Sequence, residues 1–491
     1  MASILETFPN LKHQEVMMAA GIVIAASFLL YQAYARLFYS KIEKDKKPLP
    51  KANKGILETL RMWAGPKAPF HFLEMAKELD SFIYELNIPI PGHPKAVVVS
   101  EPEDARDILN DRLTDKPLAL YGKLLEFSPT KDKVIFGMQA DAEWHRRRKG
   151  TAPAFSQKHV RRMTEVAVKH TEKWLDEYLS PLVEKHQSFD VANQMMKLLL
   201  KAFCETALEY DISNEDIDTF IIEWDLITRE YILKSTANPF RKYFTAILPE
   251  RRRAKQATHA VHAIFHKVIK NYRALESPLE GTVIDLIMKN PTFKTDDELA
   301  SEIFAYIVAG HDTTAMSITW TLLELGKHPE EQRSLREAFS KVESEEWSNS
   351  ELLKNVVREG MRLHPVAAIT VSRTIGRDMT TKKGNYFLPK GTFVLLPFYN
   401  IFHNDGVFED AETFRPSRWE NPTELMKAAF MPFAAGKQGC IGRMLAHIVL
   451  HTVLARLIQK YDFSVEEEGY AEFNLILNSV GLRMKATRAR E

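Results

Sequence analysis

Residues able to do chemistry concentrate in three short stretches of this 491-residue chain. In FAAGKQGCIG (433–442), one of the two cysteines stands among Gly436, Gly439 and Gly442, directly ahead of a long apolar helix. A cysteine there is either a small buried hydrophobe or, as a thiolate, a nucleophile and soft metal ligand. In AGHDTT (Ala309–Thr314), Asp312 and Thr313 fall in the middle of a helix that is apolar on nearly every side. A carboxyl beside a hydroxyl can hand on a proton, but burying both is costly without partners. Ion pairing of Asp312 and back-bonding by the threonines give a purely structural account of the same residues. Gly310 removes a side chain, so that something flat or bulky can approach the backbone. In EGMR, Glu359 and Arg362 share a helix face at i,i+3, a pair that on a surface is worth less than about 1 kcal/mol.

The elements that must position these groups are mostly helices. TDDE (Thr295–Glu298) is a capping box, and the apolar run behind it continues until Gly326 and Pro329 stop it. A second helix, roughly Glu351–Leu363, ends at His364-Pro365, and a third begins at about Cys440. Short extended patches, Lys95–Ser100 and Thr392–Phe398, predict small sheets. The fold class expected is mainly α with small β-sheets, as a single large domain behind an amino-terminal transmembrane helix. A formal net charge of +1 gives no basic footprint for nucleic acid. Two cysteines exclude a disulfide framework and point to a reducing compartment. Cys204, within KLLLKAFCETAL, reads as a small buried hydrophobe.

The amino terminus differs from the rest. Val16–Ala35 holds twenty residues without a charge, about 30 Å as a helix. A removable signal peptide ending near Ala33-Tyr34-Ala35 and a buried core helix are the rival readings. The flanks favour an anchor: Lys12 alone precedes the stretch, whereas Arg36, Lys41, Lys44, Lys46, Lys47, Lys51 and Lys54 follow it. By the positive-inside rule the bulk of the chain stays cytosolic. The expected organisation is a tail at 1–15, a signal anchor at 16–37, a basic Pro-containing linker at 38–55 and a catalytic domain at 56–491.

Taken together, the stretches resemble the cytochrome P-450 superfamily. FAAGKQGCIGRMLA is similar to its haem-binding signature, Phe-x-x-Gly-x-x-x-Cys-x-Gly, and AGHDTT to the oxygen-activating stretch of its central helix. EGMR resembles its Glu-x-x-Arg motif, FRPSRW (Phe414–Trp419) its Pro-x-Arg-aromatic segment, and WHRRR (Trp144–Arg148) its Trp-x-x-x-Arg. Five such landmarks in the family's order are a specific signal.

The resemblance implies roles. Cys440 would be the axial ligand of the iron of haem b (iron protoporphyrin IX), set in a loop with Phe433, Gly436 and Gly442, and the helix end behind it would lower the thiol pKa. Trp144, Arg148 and Arg373 would hold haem propionates. Glu359, Arg362 and Arg418 would form a buried structural triad, while Asp312 and Thr313 would relay protons, with Gly310 opening a groove for dioxygen. The substrate pocket would be lined by the loop around Pro117–Phe127 and by Phe304, Val308, Ala309, Ala368, Ile369 and Leu477. Two departures stand out: Gln438 replaces the usual basic residue, which puts propionate contacts and haem retention in question, and Ala434 replaces the usual Gly or Ser. The activity implied is a monooxygenase inserting one atom of dioxygen into a lipophilic molecule. Electrons would come from NADPH through a separate reductase, with cytochrome b5 as a further donor, at the endoplasmic reticulum membrane. Lys437 and Arg443 could dock such a reductase, and a solvated surface explains them equally well. The alternatives are a haem-thiolate isomerase or dehydratase working without dioxygen, and a haem-binding protein without turnover.

Overall fold

The computed structural model describes residues 26–489 apart from 28, 35, 39–40, 42–45, 53, 89–94 and 132. The helices that build the site are, in chain order, α1 (Ile56–Trp63), α2 (Ala142–Thr151), α3 (Gln157–Trp174), α4 (Val191–Leu208) and α5 (Asn214–Ile227). They are followed by α6 (Pro249–Ala274), α7 (Asp296–Lys327), α8 (Glu351–Leu363) and α9 (Arg443–Lys460). The expectation of a mainly helical chain with small sheets holds.

The organising element is α7, 32 residues long and so about 48 Å at 1.5 Å per residue. It opens with the expected capping box: Glu298 N–H donates to Thr295 Oγ1 at 3.3 Å, and Thr295 N–H donates to Glu298 Oε2 at 3.0 Å. Gly326 does not end it. The helix runs on to Lys327, and Pro329 opens the next helix, where its missing N–H costs nothing.

Two hydrophobic cores meet along α7. Its first half, through Ile303–Val308, packs with α5 and α6. Its second half, Ala315–Leu325, packs with α8 and α9. The turn Ala309–Thr314 belongs to neither core, so the polar residues of the helix lie at the seam.

Beside the helices lies a four-stranded sheet, β1 (Ile83–Leu86), β2 (Ala96–Val99), β3 (Ser372–Thr374) and β4 (Phe393–Leu395), in the order β1-β2-β4-β3. Its edge strand β3 carries Arg373 and is stitched to the loop before Lys116: Thr374 N–H donates to Asp115 O at 2.7 Å, and Asp115 N–H to Thr374 O at 3.3 Å.

Residues 16–25 of the expected anchor lie outside the described residues. Between 26 and 38 the described residues are helical and, apart from Gln32, exposed. Among the described residues no helix is long and apolar enough to cross a membrane.

Candidate functional site

The cysteine loop is shaped by left-handed backbone. Gly436 has φ +71°, and a Cβ there would collide with the Leu109 carbonyl, so only glycine fits. Ala434 adopts φ +56° with a methyl group, a strained conformation for which glycine is better suited. These turns let Cys440 N–H donate to Phe433 O at 2.9 Å and Gly439 N–H to Gly436 O at 3.0 Å. The helix behind begins at Arg443 with Gly442 at its N-cap, not at Cys440 as expected, and the Gly442 N–H is the group that reaches the sulfur.

Solvent reaches Cys440 through a cleft, but the protein surrounds it closely. Burial therefore pushes its thiol pKa up, opposed by the Gly442 N–H and by the guanidinium groups of Arg148 and Arg443. The expected net lowering by the helix end is overturned, because desolvation outweighs one N–H and two neighbouring charges.

Three cations gather beside this loop. Arg148 Nη2 donates to Gly439 O at 2.6 Å, with its guanidinium 5.3 Å from the Trp144 ring. Arg373 is buried, with Nη1 donating to the neighbouring Ser372 O at 2.8 Å. Lys116, which no sequence motif marked, is buried with Nζ donating to Phe136 O at 2.6 Å. Its pKa falls to about 7, chiefly from burial and then from the Arg373 charge, with Asp115 opposing and Arg148 adding. Burial likewise holds both arginines below their usual value. The Trp144 N–H donates to Ile135 O at 3.1 Å, so this side chain's donor is engaged and its contribution is the ring face beneath Arg148.

Gln438 reaches the Asp115 carboxylate, which also acts on Lys116 and Arg373. Its Nε2 donates to Asp115 Oδ1 at 2.7 Å, and its Oε1 has no hydrogen-bond partner among the described residues. Lys437 Nζ donates to Arg112 O at 3.0 Å.

The seam of α7 is open where its neighbours along the helix are closed. Ala309 is exposed and Gly310 and Thr313 half-buried, whereas the rest of the helix from Leu299 to Leu325 is buried. Thr313 Oγ1 donates to Ala309 O at 2.8 Å, leaving its lone pairs free to accept. Asp312 faces elsewhere, buried, with Oδ2 accepting from Trp224 Nε1 at 3.2 Å. Burial raises the Asp312 pKa, opposed by His311 and by the Trp224 N–H. His311 donates from Nδ1 to Ile307 O at 2.8 Å and packs edge-on against Phe220. On the side where a Cβ would sit, Gly310 meets the Phe203 ring of α4, and the two line a small cavity with Thr314 and Leu445. Gly310 is therefore a point of close helix packing.

Glu359, Arg362 and Arg418 do converge. Glu359 Oε1 accepts from Arg362 Nη2 and Arg418 Nε at 2.8 Å each and from Arg415 N–H at 3.0 Å. Its Oε2 accepts from Arg362 Nε at 3.0 Å and from Trp419 Nε1 at 2.9 Å, a donor not anticipated. Arg362 Nη1 also donates to Phe402 O and Ala411 O, joining α8 to the segment ahead of the cysteine loop.

The donors fit a haem. Among the described residues no group of three or more His, Cys, Asp or Glu could hold a metal ion. A metal at Cys440 would thus take one protein ligand, as an iron already held by a porphyrin does. Buried cations gathered around one carboxylate, Asp115, call for further negative charge, which two propionates supply.

The Cytochrome P450 family model matches residues 71–488. The chain belongs to that family. It is similar to the Arabidopsis thaliana Protein LUTEIN DEFICIENT 5, chloroplastic, at 23% identity over 402 residues, 76% of this chain and 66% of that protein. It is 25% identical over 398 residues to the Sus scrofa taurochenodeoxycholic 6 alpha-hydroxylase, covering 76% of this chain and 77% of that enzyme. A mouse mitochondrial 1,25-dihydroxyvitamin D(3) 24-hydroxylase is 39% identical over 173 residues, 34% of this chain and 33% of that enzyme. With hydroxylases among its relatives, this cytochrome P450 is a monooxygenase by class.

The P450 has an apolar mouth, and its walls are those expected only in part. A cavity of about 660 Å³, counting its open end, is lined by Trp63, Leu120, Tyr121, Ile232, Leu233 and Phe473, with Ile369 and Leu475 among the remaining residues. Of the expected residues, Leu120 and Tyr121 of the loop Pro117–Phe127 line it together with Ile369, and Ala309 is exposed. Phe304 is instead 1% exposed at the centre of an aromatic cluster with Phe127, Trp224 and Phe265. Val308 and Ala368 are core residues. Leu477 is core as well, because it opens a strand and its carbonyl accepts from Trp320 Nε1; the chain faces the cavity two residues earlier, at Leu475. Cys204 is buried, as its apolar surroundings predict.

Proposed function

We propose that this cytochrome P450 binds haem through Cys440 and inserts one atom of dioxygen into a lipophilic molecule, with electrons from NADPH delivered by a separate reductase and, as a second donor, cytochrome b5. Bound there, the haem supplies the activation of dioxygen. The observation that carries the reading is a cysteine reached by solvent, with the buried Lys116 and Arg373 and the half-buried Arg148 gathered beside its loop.

Each residue then has a physical task. Cys440 gives one thiolate ligand, which the metal keeps deprotonated although burial alone favours the thiol. Lys116, Arg148 and Arg373 hold the propionates, and Lys116 supplies the charge that Gln438 lacks. Phe433 shields the sulfur side, with Arg443 5.9 Å and His447 4.9 Å from its ring. Asp312 stores a proton and Thr313 Oγ1 passes it into the cleft. Glu359 binds α8 to the cysteine loop's approach. The mouth, with Asn474 and Thr370 among apolar walls, suits a fatty acid, sterol, terpenoid or drug-like molecule.

Anchoring at 16–37 in the endoplasmic reticulum membrane, with the catalytic domain cytosolic, is part of the proposal. Its supports are the basic residues that follow the apolar stretch and the exposure of Leu29, Leu30, Tyr31, Tyr34, Leu37 and Phe38. Retention of Asp312 and Thr313 favours oxygen chemistry over rearrangement without dioxygen.

The test is a carbon monoxide difference spectrum of the reduced protein beside Cys440→Ser, followed by NADPH oxidation with added reductase and a lipid extract. The expected result is a thiolate-type band lost in the variant and a product heavier by one oxygen atom. A thiolate-type band that persists in Cys440→Ser removes the assignment.

A further inference from the structure

Helix α5 links two parts of the site that lie apart in space. At Trp224 its indole N–H donates to Asp312 Oδ2 at 3.2 Å, and the ring is caged by Phe127, Phe220 and Phe304 with centroids 5.7, 6.3 and 5.8 Å away. Directly after α5 the chain runs without a break into a π-helical stretch, Thr228–Lys234, and then Ser235–Ala237. Ile232, Leu233 and Thr236 of that stretch form one wall of the mouth. A second wall, Phe473–Leu475, is fastened to the same stretch: Asn474 Nδ2 donates to Thr228 Oγ1 at 3.4 Å, and Arg229 pairs with Glu472. A π-helix has looser packing along its axis than an α-helix and recurs at functional sites. Whatever fills the mouth therefore presses on a stretch that continues directly from α5, the helix that carries Trp224.

The carboxyl beside Trp224 is out of place for its task. Thr313 opens to the cleft, whereas Asp312, about 100° around the helix, sits in the aromatic cage with Trp224 as its donor. Burial favours its protonated form, and the Trp224 N–H holds the carboxyl on the side of the helix away from Thr313.

We propose that Trp224 is a positioning residue that keeps the Asp312 carboxyl turned away from Thr313, and that a lipophilic molecule filling the mouth shifts the α5–π segment and releases it. This rests on the monooxygenase reading. On release the Asp312 O–H bond breaks, Thr313 Oγ1 takes that proton while handing its own hydroxyl proton to the acceptor in the cleft, and the carboxylate regains a proton from water.

The test uses the haem-loaded enzyme with reductase and NADPH but no added substrate. Dioxygen released early leaves as hydrogen peroxide, consuming one NADPH per dioxygen. Dioxygen whose O–O bond is cleaved after proton delivery takes four electrons and four protons and leaves as two waters, consuming two NADPH. Trp224→Phe keeps a ring and removes the N–H. The peroxide share is expected to fall about threefold or more, the scale of one net hydrogen bond, at equal haem-thiolate content. Adding Asp312→Asn should restore the peroxide. Leu233→Trp fills the mouth without touching the cage, so it tests the coupling even if Trp224→Phe loses haem; it should lower peroxide on its own and add nothing to Trp224→Phe. An unchanged or higher peroxide share in Trp224→Phe or Leu233→Trp, or a fall that survives Asp312→Asn, overturns the proposal. A wild-type enzyme with no thiolate-type band overturns the monooxygenase reading instead.

Discussion

Two buried carboxylates on long helices are treated in opposite ways. Glu359 on α8 accepts five hydrogen bonds, from two guanidinium groups, an indole and a backbone N–H. Asp312 on α7 accepts one from an indole, and no cation is paired with it among the described residues. The number and charge of the donors separate the two uses of an acid. A carboxylate gripped from five directions cannot turn, so it serves as a fastener between segments. One held by a single neutral donor can rotate and exchange its proton. The same contrast extends to their surroundings, since Glu359 joins three stretches of chain while Asp312 sits against α5, the helix that leads into one wall of the mouth.

The largest effect expected from breaking this contrast is at the fastener. Glu359→Gln leaves Arg362 and Arg418 buried beside a neutral amide. It should cost about 3–5 kcal/mol of folding stability, the scale of a buried charge stripped of its partner. Denaturant unfolding of the haem-loaded protein would show this as a lower midpoint. A loss near zero would mean that the carbonyl contacts of Arg362 suffice without the carboxylate.

What could be seen in the sequence follows the same division. EGMR and FRPSRW mark the fastener because its members need fixed spacing, and α8 runs over Glu351–Leu363 as its pattern predicts. The Thr295 capping box likewise announced α7, since its partners are three residues apart. Lys116 had no such signal: a lone lysine in a loop reaches Arg373 through the pairing of Asp115 with Thr374, far along the chain. Trp224 meets Asp312 only through the packing of α5 on α7, and Gly310 was given to dioxygen because nothing local announces that Phe203 fills its side. The walls of the mouth are legible only in part, at the Pro117–Phe127 loop and Ile369, for a similar reason. An apolar residue in a core and one in a cavity wall look alike in a sequence, and in the strand turn at Leu475 and Leu477 two positions decide which is which.

Lys116 sharpens the contrast from the cation side, with an intermediate effect. Beside Arg373 and Arg148 its pKa is about 7, far below the usual 10.5. A dianion placed among these groups raises that pKa again. Above pH about 7, haem uptake therefore takes up a proton at Lys116, and haem retention weakens as pH rises, by up to about tenfold per pH unit. Without the dianion the sign for folding is the reverse. The unfolded chain keeps a proton that the folded chain has lost, so stability grows from about pH 7 towards 10.5. Transfer of haem to an excess of an acceptor globin, followed from pH 6 to 9, measures the first effect. Lys116→Arg, charged throughout, should flatten the profile, and Lys116→Gln should release haem faster at the low end as well. A wild-type profile already flat would separate Lys116 from the propionates.

The smallest expected change in stability is the most informative, because it repeats the fastener's substitution at the mobile acid. Asp312→Asn preserves shape and keeps an oxygen to accept from Trp224, and no cation pairs with Asp312 to be left behind. Its effect on unfolding should stay within about 1 kcal/mol, the scale of a single neutral hydrogen bond. Proton delivery should fall by about 100-fold or more, as when a general acid is removed. The yield of oxygenated product per NADPH would then drop while peroxide rises. A loss of stability as large as that of Glu359→Gln would mean that Asp312 is a second fastener, and its single hydrogen bond would have to be carrying a structural load that its geometry does not suggest.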